Sequence, residues 1–564
     1  KGVVDGISAE DMGKFPDTNL AESLQRITGI AIERERGEGS KITVRGFGPD
    51  FNIVTFNDRQ MPTTGGRSFD FGNIASEGIS SVEVYKSGRA NVATGGIGAV
   101  VNVATRKPFS NPGQQAAFST KGVYDSSSRG NNSLTPEFAG LYSNTFADET
   151  FGMGLTFSYQ ERDGGYQSAT TQDFMSRNFV SQADIDAFEL ANPGESHPDD
   201  EWGTIVVGDP SAVNFPTEVV DGIYAIPTNI QYNMAEFHRE RVNAQLTFQW
   251  RPIESLTATL DYTYAENQSE TVNKDISAWF DPNCKTRESE WVKEGQIYSP
   301  TKYSQIGCSQ ERNQGVGQFA VVDENKSIGF NVEWLATENL SMHMDYHDSS
   351  GVSKPNSKYG SSGFVAVASL NRITTDGYFT ANGMPVLDIE LGERNSHNQI
   401  IRNDELNAND MQLNGSGFGS FNNRMDVKQF QFSTEYAFDD GHEIEFGFGN
   451  VKVTNRGQSA WVSRNAWSGV GEPGDIADLL SIESIAGVFD GIEGSGDPRQ
   501  ATEFFSWDFD ELITRSEELL QTGDHGNVAG DGPCLTGFCP TYDFDSDEVT
   551  TEKSTSIYVQ GHYV

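Results

Sequence analysis

The residues with the clearest chemical potential are four cysteines, which fall as two close pairs, Cys284 with Cys308 and Cys534 with Cys539. Neither pair has CxxC spacing or histidines nearby, so a zinc site is not expected. Two disulfides in an oxidising compartment are the better reading. A bridge from Cys284 to Cys308 would contribute about 3 kcal/mol by restricting the unfolded chain. Gly95-Gly-Ile-Gly98 lacks the last glycine of a nucleotide loop and runs into Val100, Val101 and Val103, which read as a strand. No GxSxG or HExxH motif occurs. His343 and His347 stand four apart, a helical spacing, on a stretch that alternates like a strand. Asp543, Asp545 and Asp547 lack the turn glycine and distal glutamate of a calcium loop and read as a solvated acidic segment. These residues predict neither an enzyme nor a resident metal or cofactor.

Composition narrows the classes further. Acidic residues number 81 against 40 basic ones, a net charge of −41, which argues against gripping nucleic acid. Aromatics reach 11% and glycines number 59, so the chain should fold rather than stay disordered. No apolar run reaches the length of a membrane helix. A membrane barrel is apolar only at alternate positions and escapes that criterion. Residues 1–11 show no signal-peptide pattern, so the chain is expected to begin after one or within a longer precursor.

The elements that must position any site change character near Pro108. Before it, Asn19 and Glu22 have capping-box spacing, Leu20, Leu24 and Ile27 recur at helical spacing, and Gly29 suits a left-handed helix end. Strands are predicted at Ile42–Arg45, Phe51–Phe56, Val82–Tyr85 and Val100–Ala104, giving a small α+β unit over residues 1–108. Residues 109–564 show period-two runs. Val242, Ala244, Leu246, Phe248 and Trp250 alternate with Asn243, Gln245, Thr247 and Gln249; Leu340, Met342, Met344 and Tyr346 face away from His343, Asp345 and His347. Ten such strands are countable, each near the length needed to cross hydrocarbon when tilted. Short links such as 147–150 and 251–254 alternate with long segments at 161–239, 267–326, 349–427 and 453–553. That asymmetry matches an outer-membrane barrel with short periplasmic turns and long external loops. The expected fold is therefore an N-terminal α+β domain followed by a transmembrane antiparallel β-barrel.

The first 108 residues resemble the plug domain of TonB-dependent outer-membrane receptors. The resemblance rests on Asp5–Met12, Leu20–Ile30, the Ile42-Thr-Val-Arg-Gly-Phe47 motif, Ile79–Gly88 with its Val-Glu-Val-Tyr-Lys core, and Gly95–Pro108. In detail the plug is similar to a proteobacterial branch whose members are thought to import carbohydrates. The resemblance implies a plug inside a 22-stranded barrel, of which about ten strands are present, so the chain is expected to be trimmed at both ends. It implies energising by TonB with the inner-membrane ExbB and ExbD proteins, outer-membrane lipid as surroundings, and a small-molecule or oligosaccharide ligand. It also implies plug cations at Arg45 and Lys86 that pair with wall glutamates, for which inward-facing Glu333 and Glu435 are candidates. Residues 63–72 would then form the plug apex, where Arg67, Phe69, Asp70 and Phe71 could hold ligand by hydrogen bonds and stacking. The alternative is that Phe69 and Phe71 pack the plug.

For cargo, an oligosaccharide or similar glycan is expected, because Trp202, Trp279, Trp291, Trp461, Trp467 and Trp507 lie in the long segments and could stack on sugars. Otherwise these tryptophans knit the loops together. The alternatives are uptake of a ferric siderophore, haem or cobalamin, or a non-transport surface barrel.

Overall fold

The computed structural model describes Val3 to Tyr563 outside residues 9–18, 75, 77, 94, 131–133, 178, 198–204, 208–222, 281–284, 287–288, 307–310, 381–382, 395–396, 398, 404, 465–469 and 523–537. The N-terminal unit is built on strands β1 (Val4–Ser8), β2 (Ile30–Glu35), β3 (Glu38–Val44), β4 (Asn52–Phe56), β5 (Arg59–Gln60), β6 (Ile79–Tyr85) and β7 (Ala99–Thr105). Five of them form one sheet in the order β1-β6-β7-β4-β5, and β2 with β3 makes a separate hairpin. Helix α1 (Leu20–Leu24) is short, and Asn19 caps it by accepting from the Glu22 backbone N–H at 3.3 Å. Glu22 does not close the expected capping box. Its side chain accepts instead from the Gly39 N–H at 3.1 Å and from Arg34 at 2.6 Å, which ties the helix to the hairpin. Gly29 has φ +79°, the left-handed geometry expected at this turn. Leu20, Leu24, Val44, Val82, Val84, Val101, Val103 and Phe71 form one buried core.

The second region is a wall of long antiparallel strands: β8 (Gln115–Val123), β9 (Thr135–Phe146), β10 (Phe151–Thr170), β11 (Asn229–Ile253), β12 (Leu256–Trp279), β13 (Arg312–Thr337), β14 (Leu340–Pro355), β15 (Ser362–Ser369), β16 (Met411–Ala437), β17 (Glu443–Val462) and β18 (Ser546–His562). Their order is β18-β17-β16-β14-β13-β12-β11-β10-β9-β8, with the short β15 between β13 and β16 beyond the end of β14. All ten expected strands are present; the tight link at 147–150 is a turn, and the one expected at 251–254 is a shorter turn at 254–255, because β11 runs on to Ile253. The first carries Ala147, Asp148 and Glu149 at positive φ.

The two faces of the wall have opposite chemistry. Leu155, Phe157, Phe248, Trp250, Leu260, Ile328, Phe330, Trp334, Phe446 and Ile557 lie on one face and are all at least 40% exposed. On the other face, Asp261, Asp345 and Gln429 are buried against the N-terminal unit. A soluble sandwich would hide the greasy positions inside. Here they form a broad outward band, far larger than the patches soluble monomers tolerate, which lipid must cover.

The long segments differ from the expectation of loops. Strands β11, β12, β13 and β16 have 25, 24, 26 and 27 residues, so at about 3.3 Å per residue they reach roughly 80 Å, well past a bilayer. Beyond them the chain builds a second sheet in which Phe174–Arg177, Ile223–Pro227, Ile297–Ile306, Arg372–Tyr378 and Val386–Arg394 are successive neighbours. Helix α2 (Gln182–Ala191) and the amphipathic helix α3 (Phe509–Thr522) belong to the same outer layer. Two apolar clusters hold that layer, one around Tyr224, Tyr232 and Phe489 and one around Val367, Phe418 and Leu512. Cys539 is disulfide-bonded; Cys284, Cys308 and Cys534 lie outside the described residues.

Candidate functional site

The N-terminal unit sits against the polar face of the wall, and two buried ionic junctions join them, beside a more exposed pair between Lys107 and Glu333. The first is Arg59, at the tip of the β4–β5 hairpin and 3% exposed. Its Nε and Nη2 donate to Asp345 on β14 at 2.8 and 2.7 Å, and its Nη1 donates to both oxygens of Asp261 on β12 at 2.7 and 2.8 Å. Both carboxylates are buried, so the planar guanidinium forks onto two acids from strands that flank β13. Gly329 on β13 leaves the space, since a Cβ there would overlap the guanidinium. Beside this cluster the Gln60 backbone N–H donates to Gln429 at 2.9 Å.

The second junction is Glu38, the first residue of β3 after the β2–β3 turn. It accepts from Arg239 on β11 at 2.5 Å and pairs with Arg162 on β10, which also holds Asp125 at 2.8 Å. Burial alone would raise the Glu38 carboxyl; hydrogen bonding and charge from Arg239, with Arg241 and Arg162, outweigh it and bring the value from 4.5 down to about 2. Docking energy from this group is therefore full above pH 4.5 and drains away as pH falls toward 2. Hydrogen exchange of the β2–β3 hairpin is expected to accelerate over that interval, and Glu38→Gln should flatten the dependence. An unchanged profile in the variant would remove Glu38 from the junction.

Of the expected lock residues, Glu333 does receive a cation from the N-terminal unit, though it is Lys107, whereas Arg45, Lys86 and Glu435 take other roles. Arg45 donates to the Gly98 carbonyl at 2.8 Å, and Lys86 binds Asp5 at 2.5 Å and the Thr28 carbonyl, so both stay within the N-terminal unit. The reason lies in geometry. Arg45 has φ 53° in a tight turn before Gly46, and Lys86 follows directly on β6 inside the fold, whereas Arg59 stands at a hairpin tip. Glu333 pairs with Lys107 at 3.6 Å, and Glu435 lies opposite Glu445 in the strand register. The sequence did carry a signal for Asp261 and Asp345: each is a carboxylate on the polar side of an otherwise aromatic strand.

Above these junctions, segment 63–72 forms the outer end of the unit and borders a cavity of about 450 Å³. Its lining includes Thr63, Arg67, Phe421, Asn423, Asn455, Ser459 and Glu548. The Thr63 backbone N–H approaches the Met425 sulfur at 3.3 Å, fixing the loop against β16. Arg67 is exposed and makes no ion pair among the described residues. The other three expected ligand residues are structural. Phe71 is fully buried, Phe69 is 7% exposed, and their rings pack at 5.1 Å, with Phe56 6.0 Å from Phe69. Asp70 accepts from the Gly72 N–H at 2.7 Å and caps the turn that follows. The apolar rings go inward because they pack into the same core as Leu20, Val44, Val82 and Val101. His343 and His347 share the polar face, where His347 meets Ser327 at 3.0 Å. No cluster suited to a metal ion occurs among the described residues.

The arrangement is an α+β unit seated on the polar face of a lipid-facing antiparallel wall, as in a plugged outer-membrane barrel. Residues 1–100 match the family described as the TonB-dependent receptor plug domain. No curated protein matches the chain. Among solved structures, similar chains include the ferric enterobactin receptor PfeA of Pseudomonas aeruginosa, at 9% identity over 81% of this chain and 72% of that one with a TM-score of 0.30. Others are the siderophore receptor PirA of Acinetobacter baumannii, at 10% identity over 85% and 93% with a TM-score of 0.24, and the ferric yersiniabactin receptor FyuA of Yersinia pestis, at 10% over 82% and 76% with a TM-score of 0.24. At these identities and scores they bear on neither ligand nor mechanism.

Proposed function

We propose that this protein carries out TonB-dependent uptake of a scarce nutrient across the bacterial outer membrane. The observation that carries the reading is a separate folded plug held in a membrane wall by a few buried ion pairs, because such an arrangement is stable at rest yet releasable by force. Ligand would settle in the cavity over Thr63 and Arg67, and TonB, with ExbB and ExbD behind it, would pull on the segment before β1. No covalent step is needed.

For the cargo, an iron chelate of the siderophore type takes precedence over a glycan. Arg67 offers an unpaired cation at the cavity floor, which suits an anionic chelate despite the acidic surroundings. Two of the tryptophans are engaged in packing: Trp507 is buried, and Trp291 packs against Tyr224 and Tyr303 at 4.8 and 6.0 Å within the outer layer. Trp202 and Trp467 lie outside the described residues. Trp279 and Trp461 remain exposed and keep the glycan as the second reading. A deletion strain should lose uptake of one class, tested as growth on ferric siderophores under iron limitation against growth on single oligosaccharides. Collapse of the proton gradient should abolish the same uptake. Uptake that persists without the gradient would count against TonB coupling.

A further inference from the structure

We propose that the wall beside the plug apex carries a stacking subsite, formed by Phe319, Phe364, Phe421 and Trp461, for a flat hydroxyl-bearing ring of the ligand. This rests on the receptor reading above and adds to it the chemistry of the recognised group.

The four rings share one face of the wall. In the strand register Gly317 pairs with Phe364 and Phe364 with Gly417, while Ser362 lies between Phe319 and Gly419, and Gly419 pairs with Trp461. Rings therefore alternate with glycine or serine across β13, β15, β16 and β17. The glycines are required. A Cβ on Gly417 would overlap Trp461 and stand 2.5 Å from Phe364, and one on Gly419 would stand 2.7 Å from Phe421 and 2.9 Å from Trp461. Without side chains there, the rings lie down on the backbone and show their faces. Phe364 and Trp461 have centroids 6.0 Å apart and planes inclined by 32°, a shallow shelf rather than an interlocked core.

The shelf faces the ligand space. Phe421 lines the same cavity as Thr63 and Arg67, and Met425, four residues further along β16, touches Thr63. On β13, Val321 borders the plug beside Asp70, and Phe319 continues that face outward. Phe319, Phe421 and Trp461 are 42%, 39% and 47% exposed. The opposite face of these strands is already occupied, because Val316, Val365, Phe418 and Val462 are buried in the outer layer. Hydration of three bare rings beside a polar cavity favours a partner with one flat weakly polar face and hydroxyls at its rim, which Asn423, Asn455 and Ser459 can meet. A pyranose and a catechol both fit that description.

The test uses the whole protein in detergent, with maltoheptaose and a ferric tris-catecholate as probes and tryptophan fluorescence with equilibrium dialysis as readouts. One probe should bind, and Trp461→Ala should weaken it about tenfold, as expected for loss of one stacked ring. Gly417→Val should weaken the same probe by tilting the rings, while heat-modifiable electrophoretic mobility confirms that the variant is folded. Weakening of maltoheptaose assigns a pyranose, and weakening of the catecholate assigns a catechol. Equal affinity in native and variant proteins, or no binding of either probe to the native protein, overturns the subsite. Binding that responds to Trp461→Ala alongside gradient-independent uptake would instead retain the subsite and reject TonB coupling.

Discussion

Replacing Arg59 with Met should release the plug from the wall more than any other single change. Removing the guanidinium leaves Asp261 and Asp345 facing each other in a buried site with no cation between them. Breaking a buried pair from one side typically costs roughly 3–5 kcal/mol, because the remaining charge loses its partner without regaining water. One of the two acids should take up a proton, which softens the loss but does not restore the forked geometry. The expected result is faster proteolysis and hydrogen exchange of residues 49–61, with the wall's heat-modifiable mobility retained. Outer-membrane permeability to bulky antibiotics should rise in parallel. Gly329→Ala should produce a milder version, since its Cβ would displace the guanidinium without removing it. Arg45→Met, by contrast, should leave docking intact because Arg45 bonds within the plug. Equal effects from Arg45→Met and Arg59→Met would show that the junction is elsewhere.

Leu260→Arg is the second large effect expected, and it tests the membrane face. Leu260 is 44% exposed on β12, next to Asp261, which points to the plug. In water an exposed leucine can become arginine at little cost. Facing lipid near the middle of the bilayer, a cation costs roughly 2–4 kcal/mol. Refolding into lipid vesicles, followed by denaturant titration, should therefore give a loss of that size for Leu260→Arg and well under 1.5 kcal/mol for Leu260→Val. A tolerated arginine would mean that this face meets water or protein.

These two residues also show where reading the chain succeeds and where it stops. Alternation is a local property: each strand's greasy and polar positions follow from a period of two, so the wall, its ten strands and its short turns were legible before any contact was known. The small α+β unit was legible for the same reason, with Asn19 and Gly29 marking the ends of its helical turn and Val100, Val101 and Val103 marking a strand; that it is a plug came from its resemblance to a family. The disposition of Phe69 and Phe71 was open between core and ligand site, because a ring's direction in an irregular loop depends on which core lacks volume.

The pairing at the junction was not legible, although its two acids stood out on the polar side of their strands. Arg59 lies 202 residues from Asp261 and 286 from Asp345, and only the pairing order of β12, β13 and β14 brings the two acids to one hairpin tip. Arg45 and Lys86 were equally plausible cations until the turns around them pointed their side chains inward. The outer layer was hidden by the same cause, since its strands are short, irregularly spaced and held by contacts between distant segments. Local periodicity thus determined that the chain makes a small α+β unit and a membrane wall. Tertiary packing alone decided which charges join them, which rings are buried and which face the ligand space, because those outcomes depend on side chains that meet only after the long strands have paired.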